Sequence, residues 1–254
     1  MRDYRPKLAA RRLRSQRPSV IGLVVPDIAN PFFVGFARAI ETSALRDGIR
    51  VILCNSDEDP TREAQYLELL EEERVSGIIL APTQAGGVPD LSIPLVLADR
   101  VEGSPQVDSV VLDDAGAASA LVDALQAAGC TRILGLFGAR GSTAVKRRQR
   151  YTDALRRHGL PVHAVDVPHD TEGRTTAVQA ALAGAAFDAI IVGDAFAMLE
   201  AAVVLHDRID TQRFAVHLAG FDGATWLRLL DVKPLVIAQP VDAMAQAAMA
   251  LLAE

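Results

Sequence analysis

Short, uninterrupted apolar runs alternate with longer helical stretches along the chain, and this alternation constrains the fold more than any other feature. Continuous apolar runs are typical of strands that are covered on both faces of a parallel sheet. We predict strands at residues 20–25, 51–55, 78–81, 95–98, 110–113, 133–136, 162–167, 189–192, 216–220 and 235–238. We predict helices at residues 33–47, 61–73, 115–128, 144–158, 175–183 and 195–206.

The residues between these segments are suited to helix ends. Gly48, Gly129 and Gly159 each follow a predicted helix and favour a left-handed C-terminal cap. Asp59 is a candidate N-terminal cap, and Pro60 follows it in the first turn. About ten β/α units exceed one ordinary doubly wound sheet, so we predict an α/β protein of two lobes, each a parallel sheet flanked by helices. A cleft between two lobes is a favoured place for a small ligand.

Charge is distributed unevenly along the chain. Residues 1–18 hold seven Lys or Arg residues and one acid, a net charge of +6, while the remaining 19 basic and 31 acidic residues give −12. This pattern predicts that only the first segment meets a polyanion, the alternative being a solvated charged terminus.

The apolar runs are far shorter than the ~20 residues that cross a bilayer. The basic start has no apolar segment of a secretory signal behind it, so we predict a cytoplasmic protein with no membrane partner.

The sequence carries no motif that argues for catalysis. It has no HExxH, GxSxG or Walker A motif, its five histidines lack helical pairing for a metal, and its two cysteines lie in no metal or redox pattern. The loop at 138–143 is like a phosphate loop in composition but lacks the Lys-Ser/Thr ending, which favours a tight turn over an anion site. Asp113 and Asp114 are interpreted as solvated or capping carboxylates. We predict no enzyme activity, no metal and no cofactor.

Two stretches near the beginning, YRPKLAARRL at 4–13 and IGLVVPDIANPFF at 21–33, strongly resemble the lactose and galactose repressor (LacI/GalR) family. The resemblance continues through 53–60, 77–83, 97–100, 147–151, 220–222 and 239–240, and so spans essentially the whole chain. That family combines a helix-turn-helix, a hinge helix and a two-lobed core similar to the periplasmic ribose-type sugar-binding proteins. The resemblance therefore implies a homodimeric transcriptional regulator, most simply a repressor, whose core binds a small-molecule effector.

The resemblance also implies a domain organisation. Residues 1–18 form the hinge segment, residues 19–112 and 239–254 the N-terminal lobe, and residues 113–238 the C-terminal lobe. In the family the hinge enters the DNA minor groove with a wedging leucine. The matching leucine is Leu13, and Lys7, Ala10 and Arg11 are the other expected DNA contacts, although Lys7 stands where the family usually has Asn. Apolar wedges bend DNA by unstacking a base step, and neighbouring cations neutralise phosphates. No helix-turn-helix precedes Tyr4, so we expect a fragment that binds a DNA operator when joined to one.

The residues that match the family's effector site combine aromatic rings with carboxylate, guanidinium and amide side chains that can form paired hydrogen bonds. They are Asn30, Phe32, Phe33, Asp99, Arg100, Arg147, Asp222 and Gln239. A sugar offers apolar ring faces to aromatic surfaces and paired hydroxyls to carboxylate and guanidinium groups. Each residue also has a structural interpretation: a helix start for Asn30, core packing for the two rings, and capping or ion pairing for the charged groups.

Two departures leave the effector open. The family's Asn-Asp pair is Gly193-Asp194 here, and the aromatic residue expected near 170–172 is absent, His169 being the nearest substitute. A pentose or hexose is the leading effector class, with a modified or phosphorylated sugar as the alternative. A sugar-binding protein of a transport system is the competing function on the same fold, and a sugar-processing enzyme is a third.

Overall fold

Strands and helices alternate in chain order in the computed structural model, which describes residues 20–83, 91–101, 107–139, 141–183, 186–208, 216–223, 225–230 and 233–254. The strands are β1 Val20–Val25, β2 Arg50–Asn55, β3 Ile78–Leu80, β4 Leu95–Ala98, β5 Ser109–Val110, β6 Ile133–Gly138, β7 His163–Val167, β8 Ala189–Val192, β9 His217–Phe221 and β10 Leu235–Ile237. The α-helices are α1 Pro31–Arg46, α2 Pro60–Glu72, α3 Asp114–Ala127, α4 Ser142–Arg157, α5 Thr171–Ala183, α6 Ala195–Arg208 and α7 Val241–Ala253. A 3₁₀ helix covers Thr225–Leu229.

The strands form two five-stranded sheets in which every pairing is parallel. The first sheet has the order β2-β1-β3-β4-β5, and the second has the order β7-β6-β8-β9-β10. Counted within each sheet, both orders are 2-1-3-4-5. In sheets of this order, ligands bind outside the carboxyl ends of the strands, where the order reverses. The predicted α/β class with two parallel sheets is confirmed.

The continuous apolar strands are explained by the two faces of the second sheet. Ile133, Ile191 and Phe221 pack on one face against α3 and α4. Leu134 and Ile190, their neighbours in sequence, pack on the other face with α5 and α6. Because successive side chains in a strand point to opposite faces, both faces can be apolar only where helices cover both.

The chain divides into two compact units. Among the described residues, the first comprises residues 20–28, Phe33–Val110 and Val241–Glu254, and the second comprises Ala29–Phe32 and Val111–Pro240. The boundaries expected from sequence, 112/113 and 238/239, differ from this division by two residues each, and residues 29–32, expected in the N-terminal lobe, fall in the second unit. Leu112 packs on the core of the second unit, and the side chain of Gln239 donates a hydrogen bond to Asp222 of that unit. These contacts assign both residues to the second unit.

The predicted helix ends agree with the structure. The carboxylate of Asp59 accepts hydrogen bonds from the amides of Thr61 and Arg62, and Gly48, Gly129 and Gly159 all have positive φ. Sequence analysis missed α7, and it began α5 at residue 175 instead of Thr171. Among the helices that the structure describes, none has both the length and the apolar character to cross a membrane.

Close packing of β9 against β8 yields a first prediction. A Cβ on Gly220 would lie 2.7 Å from the carbonyl oxygen of Val192 and 2.3 Å from its Cγ2. Gly220→Ala is therefore expected to lower the free energy of unfolding by about 1–3 kcal/mol, measured by urea denaturation. In α1, a Cβ on Gly35 meets only Val241 at 3.9 Å. The control Gly35→Ala should raise stability by about 0.5–1 kcal/mol. Equal effects of the two substitutions would contradict this account of the packing.

Candidate functional site

Backbone strain is concentrated at the carboxyl ends of the strands. Five described residues other than glycine have φ in the left-handed region, and four of them follow β2, β4 or β9: Asp57, Glu58, Asp99 and Asp222, with φ of 57°, 54°, 62° and 62°. The fifth, Arg74, lies just past the end of α2. Such conformations cost about 1–3 kcal/mol each and cluster at functional sites. The strain marks the edge of each sheet where ligands bind in this class of fold.

Arg147, on α4, is the most constrained cation of the second unit. Its Nε donates to the carboxylate of Asp114 at 2.7 Å, and its Nη1 donates to the carbonyl of Gly193 at 2.7 Å. The guanidinium lies 3.9 Å from the centre of the Phe221 ring. Both members of the Arg147–Asp114 ion pair are buried. The position of the guanidinium is therefore fixed by an ion pair, a carbonyl and an aromatic face together.

Asp222 and Gln239 lie in the same unit, just beyond β9 and β10. The side-chain amide of Gln239 donates to Oδ1 of Asp222 at 2.7 Å. Burial raises the pKa of Asp222, although the positive charge of Arg147 and the bond from Gln239 lower it; Asp194 and Asp114 add to the increase. Asp222 is thus a buried acceptor in a region with an excess of carboxylates.

Two polar atoms of this group are buried without a hydrogen bond to any described residue: Nη2 of Arg147, a donor, and Oε1 of Gln239, an acceptor. An unsatisfied buried polar group costs about 1–3 kcal/mol. Arg147, Asp222 and Gln239 therefore offer both a donor and acceptors for a polar ligand.

In the first unit, Arg100 is held by carboxylates and backbone carbonyls. Its Nη1 and Nη2 donate to the two carboxylate oxygens of Glu58 at 2.9 and 2.7 Å, and Nη1 also approaches the carbonyls of Pro82 and Thr83. Burial lowers the pKa of Arg100, but the hydrogen bond and charge of Glu58, with the charges of Asp99 and Glu63, raise it overall. Arg100 thus joins the loops that follow β2, β3 and β4.

Glu63, on α2, is a second acid beside Arg100. Its carboxylate accepts the N–H of Thr83 at 2.8 Å, and burial raises its pKa. The buried hydroxyl of Thr83 lies beside the same carboxylate and, with the N–H, lowers the pKa of Glu63 against the effect of burial. Thr83 therefore ties the loop after β3 to α2.

The beginning of α1 supplies the remaining predicted residues. The side-chain oxygen of Asn30 accepts the N–H of Phe32 at 3.0 Å, which is a helix-start role. Phe32 and Phe33 are 6% and 2% exposed, and Phe33 has the Arg100 guanidinium 5.9 Å from its ring centre. The structure gives all three residues a structural role, and their contact with an effector stays a prediction.

Several residues of these two groups were not found from sequence. Asp114 was interpreted as solvated or capping, but it is the buried partner of Arg147; Asp113 is the cap, accepting the N–H of Gly116. Glu58 and the carbonyl of Gly193 were also missed as partners. The partners of Arg147 lie 33 and 46 residues away in sequence, so only the topology brings them together.

Other predicted features carry no ligand geometry or lie outside the described residues. Lys7, Ala10, Arg11 and Leu13 of the hinge segment lie outside them. In the loop after β6, Gly141 precedes α4 with a φ of 88° and no side-chain cap, as expected of a tight turn. No group of three or more metal-ligating side chains occurs among the residues described.

Two parallel sheets of the same order, with polar side chains at their carboxyl ends, define the class of periplasmic-binding-protein-like folds. The family described as periplasmic binding proteins and sugar binding domain of the LacI family matches residues 18–210. The chain belongs to this family.

Individual relatives agree with this assignment. A transcriptional regulator of the helix-turn-helix type, PtxS of Pseudomonas plecoglossicida, is 31% identical over 99% of this chain and 76% of its own length. The ribose operon repressor of Halalkalibacterium halodurans is 38% identical over 58% of this chain and 44% of its own length. A periplasmic binding protein/LacI transcriptional regulator from Alkaliphilus metalliredigens, solved with D-xylulofuranose, has a TM-score of 0.82 and 27% identity over 92% of this chain and 90% of its own. These two curated relatives are a transcriptional regulator and a repressor, not enzymes.

The raised pKa of Asp222 predicts a pH-dependent stability. A carboxyl whose pKa rises on folding stabilises the fold below its unfolded pKa, and this contribution is lost as pH rises through the folded pKa. Asp222→Asn keeps an acceptor for Gln239 and removes the buried charge. The variant should therefore melt above the wild type at about pH 7, and the difference should shrink as pH falls toward about 4.

The control for this prediction is Asp113→Asn, because Asp113 is an exposed helix cap and Asn serves equally well there. Its melting temperature at about pH 7 should stay close to that of the wild type. A lower melting temperature of Asp222→Asn at neutral pH would show that the carboxylate charge stabilises the free protein, contrary to this account.

Proposed function

We propose that this chain is the effector-binding and dimerisation core of a LacI-type transcriptional regulator, a repressor acting in the cytoplasm. It senses a sugar or related small polar metabolite and alters DNA binding through the hinge segment. The observation that carries this proposal is the group around Arg147, where a buried donor and a buried acceptor without partners adjoin the buried carboxylate of Asp222. A hydroxyl group donates one hydrogen bond and accepts others, so vicinal hydroxyls are complementary to this group.

The arrangement favours binding over chemistry. Arg147 is fixed by Asp114, Gly193 and Phe221 before any ligand arrives, so little side-chain entropy is lost on binding. The relatives of this chain include a repressor named for ribose and a regulator solved with a pentulose in furanose form, and both support a sugar effector. From the resemblance, Asn30, Phe32, Phe33, Asp99 and Arg100 are also proposed to take part in effector binding.

The hinge residues complete the proposal. Lys7, Ala10, Arg11 and Leu13 lie in the segment of residues 1–18, which has a net charge of +6. They are proposed to contact an operator in the minor groove when a helix-turn-helix is joined to them. The effector then acts by binding one conformation of the core more tightly than another, since only differential affinity shifts such an equilibrium.

The direct test of regulation is an operator assay. A helix-turn-helix from a family member, joined ahead of residue 4, should give a protein whose operator affinity changes when its sugar is added. An unchanged operator affinity with every sugar that binds the core would reject the regulatory role and favour a transport-type binding protein.

Effector binding is tested by thermal shift across pentoses, hexoses and their phosphates. A ligand at a hundredfold excess over its Kd stabilises the fold by about 2.7 kcal/mol. Asp222→Asn and Arg147→Lys should abolish this shift. The lysine keeps a charge beside Asp114 but loses the planar fork. The control is Arg148→Lys, because the neighbouring Arg148 pairs with Asp166 on a half-exposed surface. If both site variants keep the shift of the wild type, the group around Arg147 is not the effector site.

Dimerisation is proposed to use the exposed face of α6. Leu199 and Val203 are 45% and 47% exposed and lie four residues apart, so they share one face of the helix. Leu199→Glu should halve the molar mass measured by light scattering, because it places a charge in an apolar interface. Leu69→Glu, on the equally exposed Leu69 of α2, should leave the mass unchanged. A dimer that survives Leu199→Glu would exclude this face.

A further inference from the structure

Three largely buried arginines lie near the ends of parallel strands, and each stacks on an aromatic ring. Arg147 lies 3.9 Å from the ring centre of Phe221, Arg174 lies 4.8 Å from that of Phe196, and Arg100 lies 5.9 Å from that of Phe33. Arg174 was not singled out by sequence analysis. It lies near the start of α5 and is 8% exposed.

The three arginines differ in their acidic partners. Arg147 forms an ion pair with Asp114, and Arg100 forms one with Glu58. Arg174 instead donates from Nη1 to the carbonyl of His169 at 2.6 Å and from Nη2 to the hydroxyl of Thr171 at 3.2 Å. Its Nε is buried without a hydrogen-bond partner among the described residues. Of these three cations, Arg174 is thus the one that no described carboxylate neutralises.

Neither of the two acidic residues nearest to Arg174 in sequence forms an ion pair with it. The carboxylate of Asp170 accepts the N–H of Gly173 at 2.7 Å, and Glu172 is exposed. A buried charge without a counterion is costly, and proteins pair such charges or use them to bind an opposite charge. An anionic group from a ligand would supply the missing partner, and the positive end of the α5 dipole adds to its attraction.

The position of Arg174 connects it with the group around Arg147. Phe196, on which Arg174 stacks, follows Gly193 by three residues, and the carbonyl of Gly193 accepts from Arg147. Both arginines therefore act on the short segment that follows β8 in the second unit. Asp114, Asp194 and Asp222 make the surroundings of Arg147 acidic, so an anionic group is disfavoured there and favoured beside Arg174.

We propose that Arg174 binds an acidic group of the effector, a carboxylate or a phosphate, while Arg147, Asp222 and Gln239 bind its hydroxyls. The effector class is then an anionic sugar derivative and not a neutral sugar. This inference rests on the proposed function, because it extends the same effector site.

The test is calorimetric titration of the wild type with matched sets: D-ribose and D-glucose, the aldonate of each, and the terminal phosphate ester of each. At least one acidic form should bind about tenfold or more tightly than its neutral parent, as expected for a charge-assisted bond. Comparing the aldonates with the phosphate esters shows whether Arg174 binds a carboxylate or a phosphate. Equal or tighter binding by both neutral parents would overturn the inference.

Variants of Arg174 separate recognition from folding. Arg174→Gln should lose the preference for the acidic form and bind the neutral parent as the wild type does, whereas Arg174→Lys should keep most of the preference. If Arg174→Gln weakens acidic and neutral ligands equally, Arg174 is structural and the inference is wrong. If Arg174→Gln does not fold, the inference is still tested by the affinities of the wild type for acidic and neutral ligands and by the preference that Arg174→Lys retains. Failure of every sugar, neutral or acidic, to bind the wild type would instead reject the proposed function, and this inference with it.

Discussion

The parallel order of each sheet is the constraint on which the candidate site depends. Because every pairing is parallel, all strands of a sheet end at the same edge, and the loops that follow them converge there. In the second unit this edge receives Gly193 from β8, Asp222 from β9 and Gln239 from β10. In the first unit it receives Glu58, Thr83 and Asp99 from β2, β3 and β4. Helices cover both faces of the second sheet, so polar residues of its strands are found at the strand ends.

This convergence is costly for the free protein, and the cost is informative. Asp99 and Asp222 have left-handed backbone, Asp222 has a raised pKa, and Arg147 and Gln239 each keep a buried atom without a partner. Together they lower stability by several kcal/mol on ordinary values for strain and unsatisfied polar groups. A ligand that supplies the missing hydrogen bonds recovers part of this free energy. On the proposed function, the same features that weaken the fold provide the driving force for binding a polyhydroxylated effector.

The sequence predicted what local patterns control and missed what topology controls. All ten strands were located, because buried parallel strands are continuous apolar runs, and Asp59 and three glycines marked helix ends. Helix α7 was missed because its Ala- and Met-rich segment, with buried positions on its inner side, lacks the sharp polar–apolar alternation that signals a surface helix. Asp114 was misinterpreted because its role depends on Arg147, 33 residues later. The resemblance supplied Arg147 and Asp222, whereas no local signal distinguished Arg174 from a solvated arginine near a helix start.

The three stacked arginines indicate how one scaffold can serve different ligands. In each case an aromatic ring and at least one backbone carbonyl fix a planar cation, so the geometry does not depend on the ligand. The three arginines differ in the group that faces the guanidinium. Where a carboxylate of the chain occupies that position, as for Arg100 and Arg147, the cation is neutralised and contributes directional donors only. Where no described carboxylate does, as for Arg174, the cation is available to the acidic ligand that we propose, so ligand chemistry could change through one acidic residue without altering the fold.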